Sequence, residues 1–147
     1  MRIVEEKKLD FSDVLIVPKR STLSSRNEVD LKRTYTFKHS GHKWTGIPSM
    51  ASNMDGVGTI EMAKSLQEKL LFTVLAKQYG MEDFEKETLN MHSSYYSVSM
   101  GMNERDLENV KKLVRRFPNI SFITIDVANG YSQKFSEYVN KIRKEFP

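Results

Sequence analysis

Leu71-Phe72-Thr73-Val74-Leu75-Ala76-Lys77-Gln78-Tyr79-Gly80-Met81-Glu82 reads as a buried strand, a short turn and the start of a helix. The stretch from Leu71 to Ala76 is short, apolar and rich in residue types that fill a pleated surface covered on both sides. Lys77 ends it, Gly80 supplies a turn, and an amphipathic segment beginning at Glu82 runs through Phe84 and Leu89. The same pattern recurs on either side. Further apolar runs lie at Ile47-Pro48-Ser49-Met50-Ala51, Tyr95-Tyr96-Ser97-Val98-Ser99-Met100 and Ser121-Phe122-Ile123-Thr124-Ile125. Pro48 is tolerable near the start of its run, where a strand can lack a ladder donor.

Helix signals fill the intervals. Thr59 is placed to cap a helix through Met62, Ala63 and Leu66. Asn103 with Asp106 resembles a capping box, and Leu107, Val110, Val114 and Phe117 then share one face until Pro118 stops the helix. Ser132 caps the last segment, whose Phe135, Val139, Ile142 and Phe146 recur at helical spacing. Alternating β and α elements imply a parallel sheet with right-handed crossovers. Periodicity alone leaves two architectures open: an open doubly wound sheet, or part of a closed (βα) barrel. Residues 1–45 differ in character. Phe11 to Pro18 holds a short apolar run, Ser21 to Asn27 is polar, and Tyr35-Thr36-Phe37 is a small strand leading to a turn at Gly41. They read as an extension packed on the domain formed by 46–147.

A chain of 147 residues suffices for one core and is short for two. It contains no cysteine, which excludes disulfides, thiolate metal sites and cysteine nucleophiles within it. No run is long and apolar enough to span a membrane, and the N-terminus has no signal-peptide core, so a cytoplasmic location is expected. The basic residues behind the net charge of +4 are spread along the chain, the last groups at the spacing of solvent-facing helix positions, which argues for solvated surfaces over nucleic-acid binding. His39, His42 and His92 have no metal-ligand spacing, and no Gly-x-Gly-x-x-Gly, P-loop or nucleophile elbow is present.

Parallel α/β folds bind ligands at the carboxyl ends of their strands. Asn53, Met54 and Asp55 fall there after the first run, Lys77 after the second, Ser99 and Gly101 at the third, and Asp126, Asn129 and Gly130 after the fourth. Asp126 can accept hydrogen bonds from an amide or a ribose hydroxyl, or simply stabilise its loop. Lys77 suits a phosphate or a carboxamide, or faces solvent. A loop cap explains Asn53 and Asp55 equally well.

Several of these stretches resemble one family. Leu9 to Ser21 (LDFSDVLIVPKRS) with Ser25-Arg26 resembles the opening of the IMP dehydrogenase/GMP reductase family. Phe37-Lys38-His39-Ser40, Ala51-Ser52-Asn53-Met54-Asp55 and Ile125-Asp126-Val127-Ala128-Asn129-Gly130-Tyr131-Ser132 resemble its GMP reductase branch, and the likeness covers essentially the whole chain. The resemblance implies a TIM (β/α)8 barrel, of which this chain would be the first four βα units, a half-barrel preceded by the N-terminal extension. It implies NADPH-dependent conversion of GMP to IMP and ammonia through a cysteine thiolate. Carried over by position, Ser25, Arg26, Lys77, Asp126, Val127 and Ala128 would contact NADPH, and Asn53, Met54 and Asp55 would line the cleft near the purine. The catalytic cysteine, the phosphate loop and the monovalent-cation site of the family would lie beyond Pro147, so no catalytic residue is assigned within the chain. The family pattern has a threonine where Gly56 stands, histidines at Ala76 and Gln78, and a second small polar residue near Met100. Three states of the molecule follow as expectations: a piece of a reductase, a half-barrel completed by homo-oligomerisation or by a complementing carboxyl-terminal half, or a non-catalytic module that binds nucleotide or a reductase subunit.

Overall fold

A computed structural model describes residues 3–87 and 90–147, and contacts divide the chain into two units, Met1–Asp30 and Leu31–Pro147. Leu89, expected on a helix face, lies outside the described residues.

The first unit is extended chain interrupted by two single-turn 3-10 helices, Phe11–Asp13 and Arg26–Glu28. Asp10 and Asp13 close the first turn reciprocally: Phe11 N–H donates to the Asp10 carboxylate at 2.7 Å, and Asp10 N–H donates to Asp13 at 2.9 Å. Neither turn buries a residue, and Phe11, Leu15 and Ile16 are almost wholly exposed.

The second unit opens with an antiparallel hairpin, β1 (Arg33–Thr36) and β2 (Lys43–Gly46), paired from Arg33↔Gly46 to Thr36↔Lys43. Gly41 closes its turn at φ 67°, a left-handed conformation that glycine adopts without steric cost, with its N–H donating to the Phe37 carbonyl at 2.8 Å. The small strand expected at Tyr35–Phe37 thus begins earlier, and its partner β2 has no counterpart in the sequence reading.

Strands and helices then alternate: β3 (Met50–Ala51), α1 (Ile60–Gln67), β4 (Phe72–Val74), α2 (Met81–Glu87), β5 (Tyr96–Met100), α3 (Glu104–Arg116), β6 (Ile123–Ile125) and α4 (Gln133–Glu145). The four later strands form one parallel sheet in the order β3-β4-β5-β6. A doubly wound sheet reverses its order at a switch point, and this one does not. The fold is α/β with a parallel sheet and, among the described residues, four α-helices, consistent with part of a TIM-barrel family. The strands are shorter than their apolar runs. At β3 the reason is visible: Pro48 has no N–H to give, and the Ile47 N–H donates outside the sheet to the Leu70 carbonyl at 2.8 Å.

The helices begin where the sequence places their caps. Thr59, Asn103 and Ser132 accept from the N–H groups of Met62, Asp106 and Phe135 at 3.1, 2.8 and 3.2 Å. Helices cover one face of the sheet. There Leu75, Tyr96, Val98 and Met100 pack with Ile60, Phe84, Leu107, Val110 and Leu113. Each such fully buried aliphatic side chain contributes roughly 1.5–3 kcal/mol. On the other face Phe72 and Val74 meet Trp44 of the hairpin, with Tyr95 and Phe122 beside them. Trp44 donates through Nε1 to the Ser94 carbonyl at 2.7 Å, and Tyr95 donates from its hydroxyl to the Thr45 carbonyl at 3.0 Å. Phe72, Tyr95 and Phe122 stand at the starts of β4, β5 and β6, so the hairpin covers the amino ends of the strands and leaves their carboxyl ends open.

Candidate functional site

The carboxyl end of the sheet is built first by a loop. Residues 52–58 leave β3 and fold back on β4: Ala76 N–H donates to the Gly58 carbonyl at 2.8 Å, and Gly58 N–H donates to the Met54 carbonyl at 2.8 Å. A Cβ at Gly58 would collide with the carbonyl oxygens of Val74 and Ser52, so only glycine allows this approach. The clamp holds Asn53, Met54 and Asp55 over the end of β4, where Lys77 begins the next turn. Asn53 is half-buried, while Met54, Asp55 and Lys77 are exposed.

At the other side of the site, Asp126 N–H donates to the Met100 carbonyl at 2.8 Å, which ties the loop after β6 to the end of β5. Asp126 and Ala128 are exposed and Val127 is half-buried. Tyr131 N–H donates to Asn129 Oδ1 at 3.0 Å, turning the chain into the Ser132 cap of α4. Beneath the loop after β5, Gly101 N–H donates to the Asp106 carboxylate at 2.7 Å, a tie from strand end to helix start. Ser99 is buried with its hydroxyl unpartnered.

The fold therefore brings Asn53-Met54-Asp55, Lys77 and Asp126-Val127-Ala128 to the carboxyl ends of β3, β4 and β6 in a single sheet. Lys77, Asp55 and Asp126 have no ion-pair partner among the described residues. A cation and carboxylates without ion-pair partners at strand ends can bind a ligand carrying both phosphate and amide or hydroxyl groups. Ser25 and Arg26 belong to the first unit, where the Ser25 hydroxyl caps the turn by accepting from Asn27 N–H at 3.3 Å and Arg26 is exposed.

Of the positions that depart from the family pattern, Gly56 (φ 76°) and Gln78 are exposed in the loops, and Ala76 is buried at the end of β4. Met100 is not at the cleft mouth. Strand alternation turns it with Tyr96 and Val98 into the helix-covered core, where it is wholly buried. The role of Gly58 was missed, because nothing in the sequence marks which loop glycine meets a carbonyl. A groove of about 980 Å³ between the hairpin turn, β6 and α4 contains none of the site residues. Groups of three or more metal-ligating side chains do not occur among the described residues, and no helix there is long and apolar enough to cross a membrane.

Residues 8–147 match the model of the IMP dehydrogenase/GMP reductase domain. The chain belongs to the IMP dehydrogenase/GMP reductase family. Among its curated relatives, the GMP reductase of Citrobacter koseri is 46% identical over 150 residues, and that of Vibrio parahaemolyticus is 46% identical over 150 residues, each covering 100% of this chain and 43% of the relative. GMP reductase 1 of Mus musculus is 45% identical over 148 residues, covering 99% of this chain and 43% of the relative. The chain thus spans less than half the length of these family members, and it corresponds to their amino-terminal part.

Proposed function

We propose that this chain forms the nicotinamide-binding half of an NADPH-dependent GMP reductase, which converts GMP to IMP and ammonia. The observation that carries the reading is the gathering of Asn53-Met54-Asp55, Lys77 and Asp126-Val127-Ala128 at one end of a parallel sheet, in a chain about 45% identical to GMP reductases. In this reading residues 46–147 are four βα units of a (β/α)8 half-barrel and residues 1–45 are the extension that precedes it. The free outer edges of β3 and β6 pair with further strands, in the same chain or another.

The residues present suit the cofactor. Lys77 offers an unpaired cation to a phosphate or a carboxamide oxygen, and Asp126 an unpaired carboxylate to a carboxamide N–H or a ribose hydroxyl. Bound NADPH supplies the hydride. Val127 and Ala128 give a low, apolar edge for a flat ring, and Asn53 and Asp55 on the clamped loop orient the purine by hydrogen bonds. Ser25 and Arg26 serve the adenosine end across a subunit boundary of a homo-oligomer. The chain has no cysteine, so the thiolate step is supplied from outside residues 1–147, together with the monovalent-cation site.

The test is titration of NADPH and of GMP into the chain, followed residue by residue by NMR. The expected result is shifts confined to Lys77 and Asp126–Ala128 with NADPH and to Asn53–Asp55 with GMP. Lys77→Ala should weaken NADPH binding roughly tenfold, the size of one charge-assisted contact. An absence of shifts in both loops, or shifts elsewhere only, overturns the reading.

A further inference from the structure

Asn129-Gly130 stands between β6 and α4, three residues after Asp126 and just before the Ser132 cap. We propose that this pair is a self-modification site, at which Asn129 cyclises onto the backbone, loses its amide nitrogen and leaves a new carboxylate in the cofactor loop.

Four observations converge on it. Of the asparagines in the chain, only Asn129 precedes a glycine. The attacking atom in this reaction is the backbone nitrogen of the following residue, and glycine alone puts no Cβ beside it and accepts the required backbone rotation. The Gly130 N–H has no acceptor among the described residues, so it is available for deprotonation. Asn129 Oδ1 accepts from Tyr131 N–H at 3.0 Å. That bond folds the side-chain amide back over the Gly130 peptide, and the same N–H stabilises the negative charge that develops on the amide oxygen during attack. Asn129, Gly130 and Tyr131 are all exposed, so water and base reach the site.

Three of the other seven asparagines are held by helices. Asn109 and Asn140 sit inside α3 and α4, and Asn103 uses its side-chain oxygen as the α3 cap.

The chemistry balances without an oxidant or reductant. Gly130 N bonds to Asn129 Cγ and gives up its proton, the Cγ–Nδ2 bond breaks, and the nitrogen departs as ammonia. Water then opens the five-membered imide at either carbonyl, giving an aspartyl or isoaspartyl linkage. One water is consumed, one ammonia is released, and one carboxylate is gained.

The consequence for binding rests on the cofactor reading above. A second carboxylate near Asp126 repels a phosphate-bearing dinucleotide and weakens its binding by roughly fivefold, the factor for one exposed like-charge contact.

The test ages the intact chain at mildly alkaline pH, maps its peptides by mass spectrometry and labels isoaspartate with its methyltransferase. The expected result is conversion at Asn129 ahead of every other asparagine, abolished by Asn129→Gln and slowed roughly tenfold by Gly130→Ala, which restores the shielding Cβ. Conversion spread evenly over the asparagines, or unchanged in Gly130→Ala, overturns the site. The converted and unconverted forms are then separated and titrated with NADPH. Equal affinity overturns the effect on binding. If neither form binds, the cofactor reading fails, while the modification site is judged by the mapping alone.

Discussion

α3 and α4 are two helices of the same length, both capped by a polar side chain, both amphipathic, yet they are seated in opposite ways. α3 buries Leu107, Val110 and Leu113 almost completely between the sheet and its neighbours. α4 fully buries only Ile142, while Phe135 and Phe146 are half-covered and Val139 is 37% exposed. The difference lies in position: α3 has an element on either side, whereas α4 follows β6, the last strand of the sheet. A helix at a sheet edge has an apolar face formed by its sequence but no second surface to spend it on. The unfilled groove beside β6 is the same fact seen from the strand.

The largest expected effect breaks the better-seated helix. Leu113→Ala should cost about 3 kcal/mol, the transfer and cavity terms of a fully buried leucine, whereas Val139→Ala should change stability by only about 0.5 kcal/mol. Denaturant unfolding of the two variants checks this, and equal losses would mean that α4 is as well buried as α3. The caps sharpen the contrast. Asn103→Ala should lower global stability by about 1 kcal/mol, because α3 is part of the shared core. Ser132→Ala should leave the unfolding midpoint nearly unchanged and appear instead as faster amide exchange confined to α4.

The smallest effect is alkaline. Burial raises the Tyr96 phenol above its ordinary range. Tyr138 on α4 is raised by burial and then by the nearby Glu104 and Asp106 carboxylates of α3. A group whose pKa is higher in the folded state stabilises fully below its unfolded value, here ~10, and that contribution disappears as pH climbs through the folded value. Stability should therefore be flat up to about pH 10 and fall above it, with Tyr138→Phe removing the part that belongs to the α3–α4 contact. A Tyr138→Phe profile identical to that of the parent would place the alkaline loss elsewhere, at Tyr96 or at Lys111 with its Glu108 and Glu145 partners.

What could be read from the chain alone was local. Thr59, Asn103 and Ser132 announce their helices because a cap is a bond between near neighbours in sequence. The apolar runs announce the strands, and their order then puts Lys77 and Asp126 just after the carboxyl ends of β4 and β6. The unread part was long-range. β2 was missed because Lys43–Gly46 is too short to show alternation, and its reason for existing, Trp44 against Phe72 and the Ser94 carbonyl, lies some way down the chain. Gly58 was missed for the same kind of reason. The small polar position that the family pattern has near Met100 does not show where the Met100 side chain goes, and strand alternation turns it into the core.

Trp44 is the single tryptophan of the chain, and it sits among Tyr35, Phe72 and Tyr95 with its indole nitrogen tied to the backbone. Its emission is therefore a spectroscopic address for one place only, the end of the sheet that the hairpin covers. A ligand seated at the opposite end makes no contact with it. Loss of the hairpin removes its packing against Phe72 and its bond to the Ser94 carbonyl, so a shift in its emission wavelength reports the loosening of the hairpin.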